Sequence, residues 1–188
     1  MRESGHDFQT NSDYEWIIDP LDGTNNYAHG LPIFSISVAL AHKKETILGM
    51  VYAPFLKEIY WSIGKKSFCN NKEILVSPQP DLKKSIVCTG FPYDISSGNN
   101  NIDNVEAILG KSQGIRRFGS AAYDLCLVAA GHLNAYWELN LNLWDIAAGK
   151  FIVEQAQGKC LCKTNKDKVS ILASNHKLTK ELDKILSW

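Results

Sequence analysis

The chain has 188 residues, 45% of them apolar and 21% charged, which suffices for one domain, or two small tightly joined ones, with a real core. Its 20 basic and 20 acidic residues cancel, so no net field points toward nucleic acid or an acidic membrane surface. No apolar run approaches the ~20 residues of a membrane span, and the polar first residues do not read as a secretion signal.

Residues 1–13 are polar, lack periodicity and read as a loop or the tail of an element. A first strand is predicted over 14–19, where Trp16-Ile17-Ile18 runs into Asp19. Asp19-Pro20-Leu21-Asp22-Gly23-Thr24 follows. Two carboxylates on a rigid turn at a strand end suit a hard divalent cation, although turn aspartates also serve to cap backbone N–H groups. Residues 20–32 read as a loop. Residues 33–41 are small and apolar at nearly every position, as in a strand covered on both faces. Residues 46–53 and 58–63 predict an antiparallel hairpin, and 67–69 and 73–76 short strands around Asn70-Asn71. Pro78 and Pro80 mark a soft division of one compact unit into portions 1–80 and 81–188.

The second half alternates. A strand over 85–89 ends at Gly90-Phe91-Pro92, a polar loop covers 96–101 and a helix 102–111. A strand over 114–118 precedes a helix over 120–130 with Ser120 as N-cap and Gly131 at its end. A strand over 135–139 leads to a helix over 144–157 with Asp145 in its first turn. Strands over 159–162 and 169–173 precede a last helix through Leu186, capped by Ser174 and packed on the second sheet. The pattern predicts layered α/β structure. Five cysteines, Cys69, Cys88, Cys126, Cys160 and Cys162, are odd in number and lack zinc spacing. They read as reduced thiols, which predicts a cytoplasmic setting.

Two motifs stand in order: the Asp19–Thr24 hexapeptide, and Trp144-Asp145-Ile146-Ala147-Ala148-Gly149 leading to Glu154. Between them lie Gly119-Ser120-Ala121-Ala122 and Ala135-Tyr136-Trp137-Glu138. This set resembles the inositol monophosphatase family, magnesium-dependent and lithium-sensitive phosphomonoesterases, over nearly the whole chain. The resemblance implies alternating layers of helices and sheets, two or more Mg²⁺ ions, inhibition by Li⁺, and homodimers through an unspecified surface. It implies a small phosphorylated polyol as substrate, inositol monophosphate or a related sugar phosphate; the charge balance and the lack of a long apolar run predict neither nucleic acid nor membrane as partner.

By the same resemblance Asp19, the Leu21 carbonyl, Asp22 and Asp145 are metal ligands. Asp19 and Thr24 are catalytic, Thr24 orienting the attacking water. Gly23, Thr24, Gly119, Ser120, Ala121, Glu138 and Asp145 bind substrate. Glu3 is a further metal candidate: it matches the second Glu of an upstream Glu-Glu pair, with Arg2 in place of the first. The family carries two helices and a hairpin before that pair, with an aspartate that works beside the threonine. This chain starts after them. An incomplete first metal position and an uncovered apolar sheet face are therefore expected, and a catalytically impaired relative that binds a ligand or partner is the alternative. A nucleotide or fructose bisphosphatase-like activity is a variant within the class. Structural alternatives stay open for Asp145 (a helix-dipole residue), Glu138 (a plain carboxylate) and Ser120 (an N-cap only).

Overall fold

The computed structural model describes residues 12–91 and 101–188. β1 (Tyr14–Asp22), β2 (Ser35–His42), β3 (Glu45–Ala53), β4 (Glu58–Ile63), β5 (Ser67–Cys69) and β6 (Lys72–Ile74) form one antiparallel meander in chain order. A short helix, α1 (Thr24–Ala28), lies between β1 and β2. A second sheet is built from β7 (Ile86–Thr89), β8 (Gly114–Arg116), β9 (Ala135–Leu141), β10 (Lys159–Asn165) and β11 (Lys168–Ser174). Its spatial order is β10-β11-β9-β7-β8, with β7 parallel to both its neighbours.

Two helices, α3 (Ala121–Ala129) and α4 (Leu143–Gln155), pack on each other and on strands of both sheets, forming the middle layer. The main core lies here, from Ala39, Val51 and Tyr60 through Leu125 and Ile152 to Tyr136 and Ile171. A second core joins Val87, Trp137 and Leu172 of the second sheet to Ile108 of α2 (Ile102–Ile108) and to Leu178 and Leu182 of α5 (His176–Ile185). Among the described residues no helix is long and apolar enough to cross a membrane.

Small residues set the spacing of the middle layer. A Cβ on Gly49 of β3 would lie 2.7 Å from the Ala148 carbonyl oxygen of α4. One on Gly149 would lie 2.7 Å from Leu125 Cβ of α3. The Ala147-Ala148-Gly149 stretch thus lets α4 settle close against both neighbours, and that contact seats the first turn of α4 near the end of β1. The buried Ser67 hydroxyl donates to the Ile152 carbonyl of α4 at 2.7 Å.

Several expectations change. β1 continues to Asp22, and residues 24–28, read as loop, are helical. The 102–111 helix ends at Ile108. Ser174 does not cap α5. Asn175 does, accepting from Lys177 N and Leu178 N at 3.0 Å each, while Ser174 pairs with Thr179. The loop expected over 96–101 lies outside the described residues except for Asn101.

Among the described residues, the double coverage expected for residues 33–41 is not seen. Ala39 and Ala41 of β2 are buried toward the middle layer, but the alternate positions face outward. Cross-strand register builds three rows on this outer face. One runs Ile18, Val38, Met50, Trp61, Phe68; the next Trp16, Leu40, Leu48, Ile63; the third Ile36, Tyr52, Ile59. Trp16 is 59% exposed and Ile63 63%.

Candidate active site

β1 ends in an irregular pairing: Asp19 faces Ser37, and the next paired residue, Asp22, faces Ser35. Both aspartates are buried. The bend between them is held locally. Leu21 N donates to Asp19 Oδ1 at 3.0 Å, and Thr24 Oγ1 donates to the Leu21 carbonyl at 2.9 Å. Gly23 has φ +83°, and a Cβ there would stand 3.0 Å from the Ile33 carbonyl oxygen. Only glycine meets both demands without strain. Asn26 of α1 donates from Nδ2 to the carbonyls of Ile33 (2.7 Å) and Phe118 (2.6 Å). Its buried amide ties the acidic turn to the segment that enters α3.

That segment meets Asp22 directly. Ala121 N donates to Oδ1 at 3.2 Å. Oδ2 receives Ala122 N at 2.9 Å, Ser120 Oγ at 2.5 Å and Ser35 Oγ at 3.2 Å. Ser120 therefore occupies the N-cap position of α3, yet its hydroxyl serves Asp22. The first N–H groups of the helix are satisfied by a carboxylate from β1, as an N-cap would satisfy them. Burial pushes the Asp22 carboxyl above its ordinary range, against the pull of these four donors. Oδ1, with its single long bond, keeps acceptor capacity for a cation.

Asp145 lies in the first turn of α4. Its Oδ2 accepts from Asn142 N at 2.7 Å and Asn142 Nδ2 at 3.1 Å, so the helix start fixes one carboxylate oxygen. Glu138 of β9 accepts from the Tyr136 hydroxyl and lies over Gly90, where a Cβ would come within 2.0 Å of Oε2. Burial, then the charges of Asp22 and Asp145, push its carboxyl up to about 7, against Tyr136 and Arg117. Asp124 of α3 is buried with no hydrogen-bond partner for either oxygen among the described residues. Burial, followed by Glu138 and Asp22, holds its carboxyl well above the usual range.

The charges of Glu138 and Asp22 thus raise the Asp124 carboxyl through space, and those of Asp22 and Asp145 raise Glu138, in both cases opposed by Arg117. Carboxylate and carbonyl oxygens with uncompensated negative charge fit a hard cation in chemistry. Among the described residues no three acidic, His or Cys side chains close on one metal position. Glu3 and Arg2 lie outside those residues.

The sequence model of the inositol monophosphatase family matches residues 1–186. The chain belongs to the inositol monophosphatase family. It is 40% identical over 191 residues to the putative Nus factor SuhB of Neisseria meningitidis serogroup B, covering 98% of this chain and 73% of that protein. It is 39% identical over 193 residues to an inositol-1-monophosphatase of Synechocystis sp., covering 98% of this chain and 67% of that one. The solved inositol monophosphatase of Anabaena (Nostoc) sp. PCC 7120 superposes with a TM-score of 0.92 at 36% identity, over 98% of this chain and 75% of that one. The layered α/β architecture is thus that of the family, and this chain spans about seven-tenths of these relatives' length.

In this family member the structure brings Asp22, Ser120 and Ala121 into direct contact, with Gly23 and Gly119 adjoining: the Gly23 Cβ position lies 3.3 Å from the Gly119 carbonyl. Asp19, Leu21 and Thr24 share the turn, and the charges of Asp22 and Asp145 both reach Glu138. Sequence reading missed Asn26, Ser35, Asp124 and Asn142. Asn142 was open to discovery, since Asn three residues before Asp at a helix start is a capping pattern. The other three act through contacts that no local pattern encodes.

Proposed function

We propose that this family member hydrolyses a phosphate monoester of a small polyol, inositol monophosphate or a related sugar phosphate, with Mg²⁺ held by Asp19, Asp22, Asp145 and the Leu21 carbonyl. The observation that supports it most is Asp22, gripped at once by its own turn and by the start of α3, beside the uncompensated carboxylates. Bound Mg²⁺ supplies Lewis-acid polarisation of the phosphoryl group and a lowered pKa for bound water.

The chain's own residues do the rest. Gly23, without a side chain, leaves the backbone open to a close phosphate approach. The Thr24 hydroxyl, its proton committed to the Leu21 carbonyl, presents lone pairs that orient the attacking water. Gly119, Ser120 and Ala121 wall the substrate side, and Glu138 accepts from a substrate hydroxyl once ionised. The free state of all five cysteines agrees with a reducing, cytoplasmic setting.

The test is Mg²⁺-dependent phosphate release from inositol 1-phosphate by the chain and by Asp19→Asn, with Li⁺ as inhibitor. A loss of about 100-fold or more in kcat is expected. Undiminished release by Asp19→Asn refutes the metal assignment. Running nucleotide and sugar bisphosphates in the same assay separates the bisphosphatase variant.

A second reading is a partner-binding protein with impaired catalysis. Relatives named Nus factor SuhB favour it, as does the unclosed ligand set among the described residues. A form extended to the relatives' length is then active while this chain is not; equal turnover removes this reading.

A further inference from the structure

Glu138 stands on β9 against Gly90, the residue that follows β7. The fit is close. A Cβ on Gly90 would meet Oε2, Cδ and Oε1 at 2.0, 2.1 and 2.2 Å, so the flat of the carboxylate lies on the bare backbone of Gly90. The Tyr136 hydroxyl, two residues back on the same face of β9, donates to Oε2.

What holds Gly90 comes from the opposite face of the sheet. Trp137 points away from Tyr136 and Glu138, into the second core. Asn101, fully buried, accepts from Trp137 Nε1 at 2.7 Å. It donates to the Gly90 carbonyl at 2.6 Å and to Thr89 Oγ1 at 2.8 Å. Thr89 Oγ1 in turn donates to the Trp137 carbonyl at 2.7 Å. The Asn101 amide oxygen also takes Asn104 Nδ2 at 3.0 Å, so both hydrogens and both lone pairs of the amide are used. This is not ordinary helix capping. Asn101 occupies the N-cap position of α2 but makes no side-chain cap bond. Its φ of +67° is a conformation that asparagine tolerates better than most residues. Aspartate has the same shape, yet it has no hydrogens to give the Gly90 carbonyl and Thr89.

We infer that Asn101 and Gly90 are positioning residues for Glu138: the amide clamps the Gly90 backbone to β9, and the clamped backbone is the seat that fixes where the carboxylate meets a substrate hydroxyl. Only the consequence, discrimination between esters, rests on the proposed polyol phosphatase activity; the seat does not. An acceptor displaced from its line loses the hydrogen bond to a ring hydroxyl, whereas an ester without hydroxyls does not feel the move.

Two readouts test this. Urea titration in EDTA needs no activity. Gly90→Ala lowers the midpoint in the parent, but in a Glu138→Ala background, where the atoms it would strike are gone, it is neutral or raises the midpoint. Equal losses in both backgrounds overturn the seat. Should Gly90→Ala alone not fold, its rescue by Glu138→Ala is the expected result, and no rescue overturns the inference. The second readout is the ratio of kcat/KM for inositol 1-phosphate to that for p-nitrophenyl phosphate, which offers Glu138 no hydroxyl. Gly90→Ala lowers this ratio about tenfold, and so does Asn101→Gly, which suits the left-handed backbone and deletes only the amide. Asn104→Ala removes two bonds to Ser187 without touching Gly90 or Trp137, so it lowers the midpoint and leaves the ratio. A parental ratio in Gly90→Ala or Asn101→Gly, or an equal fall in Asn104→Ala, overturns the inference. A chain that cleaves neither ester refutes the proposed activity, and the Glu138 cycle then decides the seat alone.

Discussion

The carboxylate of Asp22 accepts hydrogen bonds from two backbone amides and two hydroxyls before any cation arrives. It is at once a helix cap for α3 and a proposed metal ligand. Asp19, by contrast, accepts within its own turn from Leu21 N. The two aspartates should therefore separate in a stability measurement. In EDTA, Asp22→Ala leaves four buried donors without this acceptor and is expected to cost about 2–4 kcal/mol, read from the urea midpoint. Asp19→Ala should cost less than half of that. Equal losses would show that Asp22 is no more structural than its neighbour. Glu138 gives a pH test. Its folded carboxyl stands near 7 against an ordinary 4.5. Between those values the native chain holds a proton that the unfolded chain has released. Rising pH through that window therefore costs native stability. Glu138→Gln removes the group, so its metal-free stability should fall less steeply from about pH 4.5 to about pH 7. The same decline in parent and variant would contradict the assignment. At this scale the acidic motifs were legible because they are contiguous. Ser35 and Asp124 were not, because their meaning comes from Asp22, Glu138 and Cys88, brought near only by the fold.

Among the elements, α1 shows why local reading stops short. It is five residues long and begins after a left-handed glycine rather than a capping side chain, so no start signal exists. What holds it is Asn26, whose amide bonds Ile33 O and Phe118 O. Asn26→Ala leaves two half-buried carbonyls short of a partner. About 2 kcal/mol or more of stability should be lost, visible in the same denaturant titration, together with a lowered Mg²⁺-dependent phosphatase rate. A variant that loses stability but not rate would show that the Asn26 link to the α3 segment does not position the site. The cap of α5 fell to Asn175 rather than Ser174 for a related reason. Asn175 has an amide to spare and uses it on the Ser77 and Gln79 carbonyls, far away in sequence. Helical spacing could show that α5 exists, but not which of two adjacent polar residues faces inward.

For the whole molecule, α3 and α4 belong to neither sheet alone. They bury Leu125 and Ile152 against strands of both, so one sheet cannot lose its packing without exposing the other's. Denaturant unfolding followed by near-UV and by far-UV circular dichroism should give one coincident transition; two separated midpoints would show that the sheets melt independently. The alternation of strands and helices made this layering legible. The apolar character of 33–41 was legible too, but composition shows only that a face avoids water, not what lies against it. Among the described residues β1, the strand that carries Asp19 and Asp22, pairs only with β2, so the acidic turn rides on the rim of its sheet. Rim strands peel away at a fraction of the free energy of global unfolding. On the proposed metal assignment, a molecule with β1 peeled offers no intact turn to Mg²⁺, so the apparent dissociation constant should be the intrinsic one divided by the fraction of molecules with β1 zipped. Substitutions that never touch a ligand, anywhere along the β1–β2 ladder, should therefore tune metal affinity in step with amide exchange in that strand.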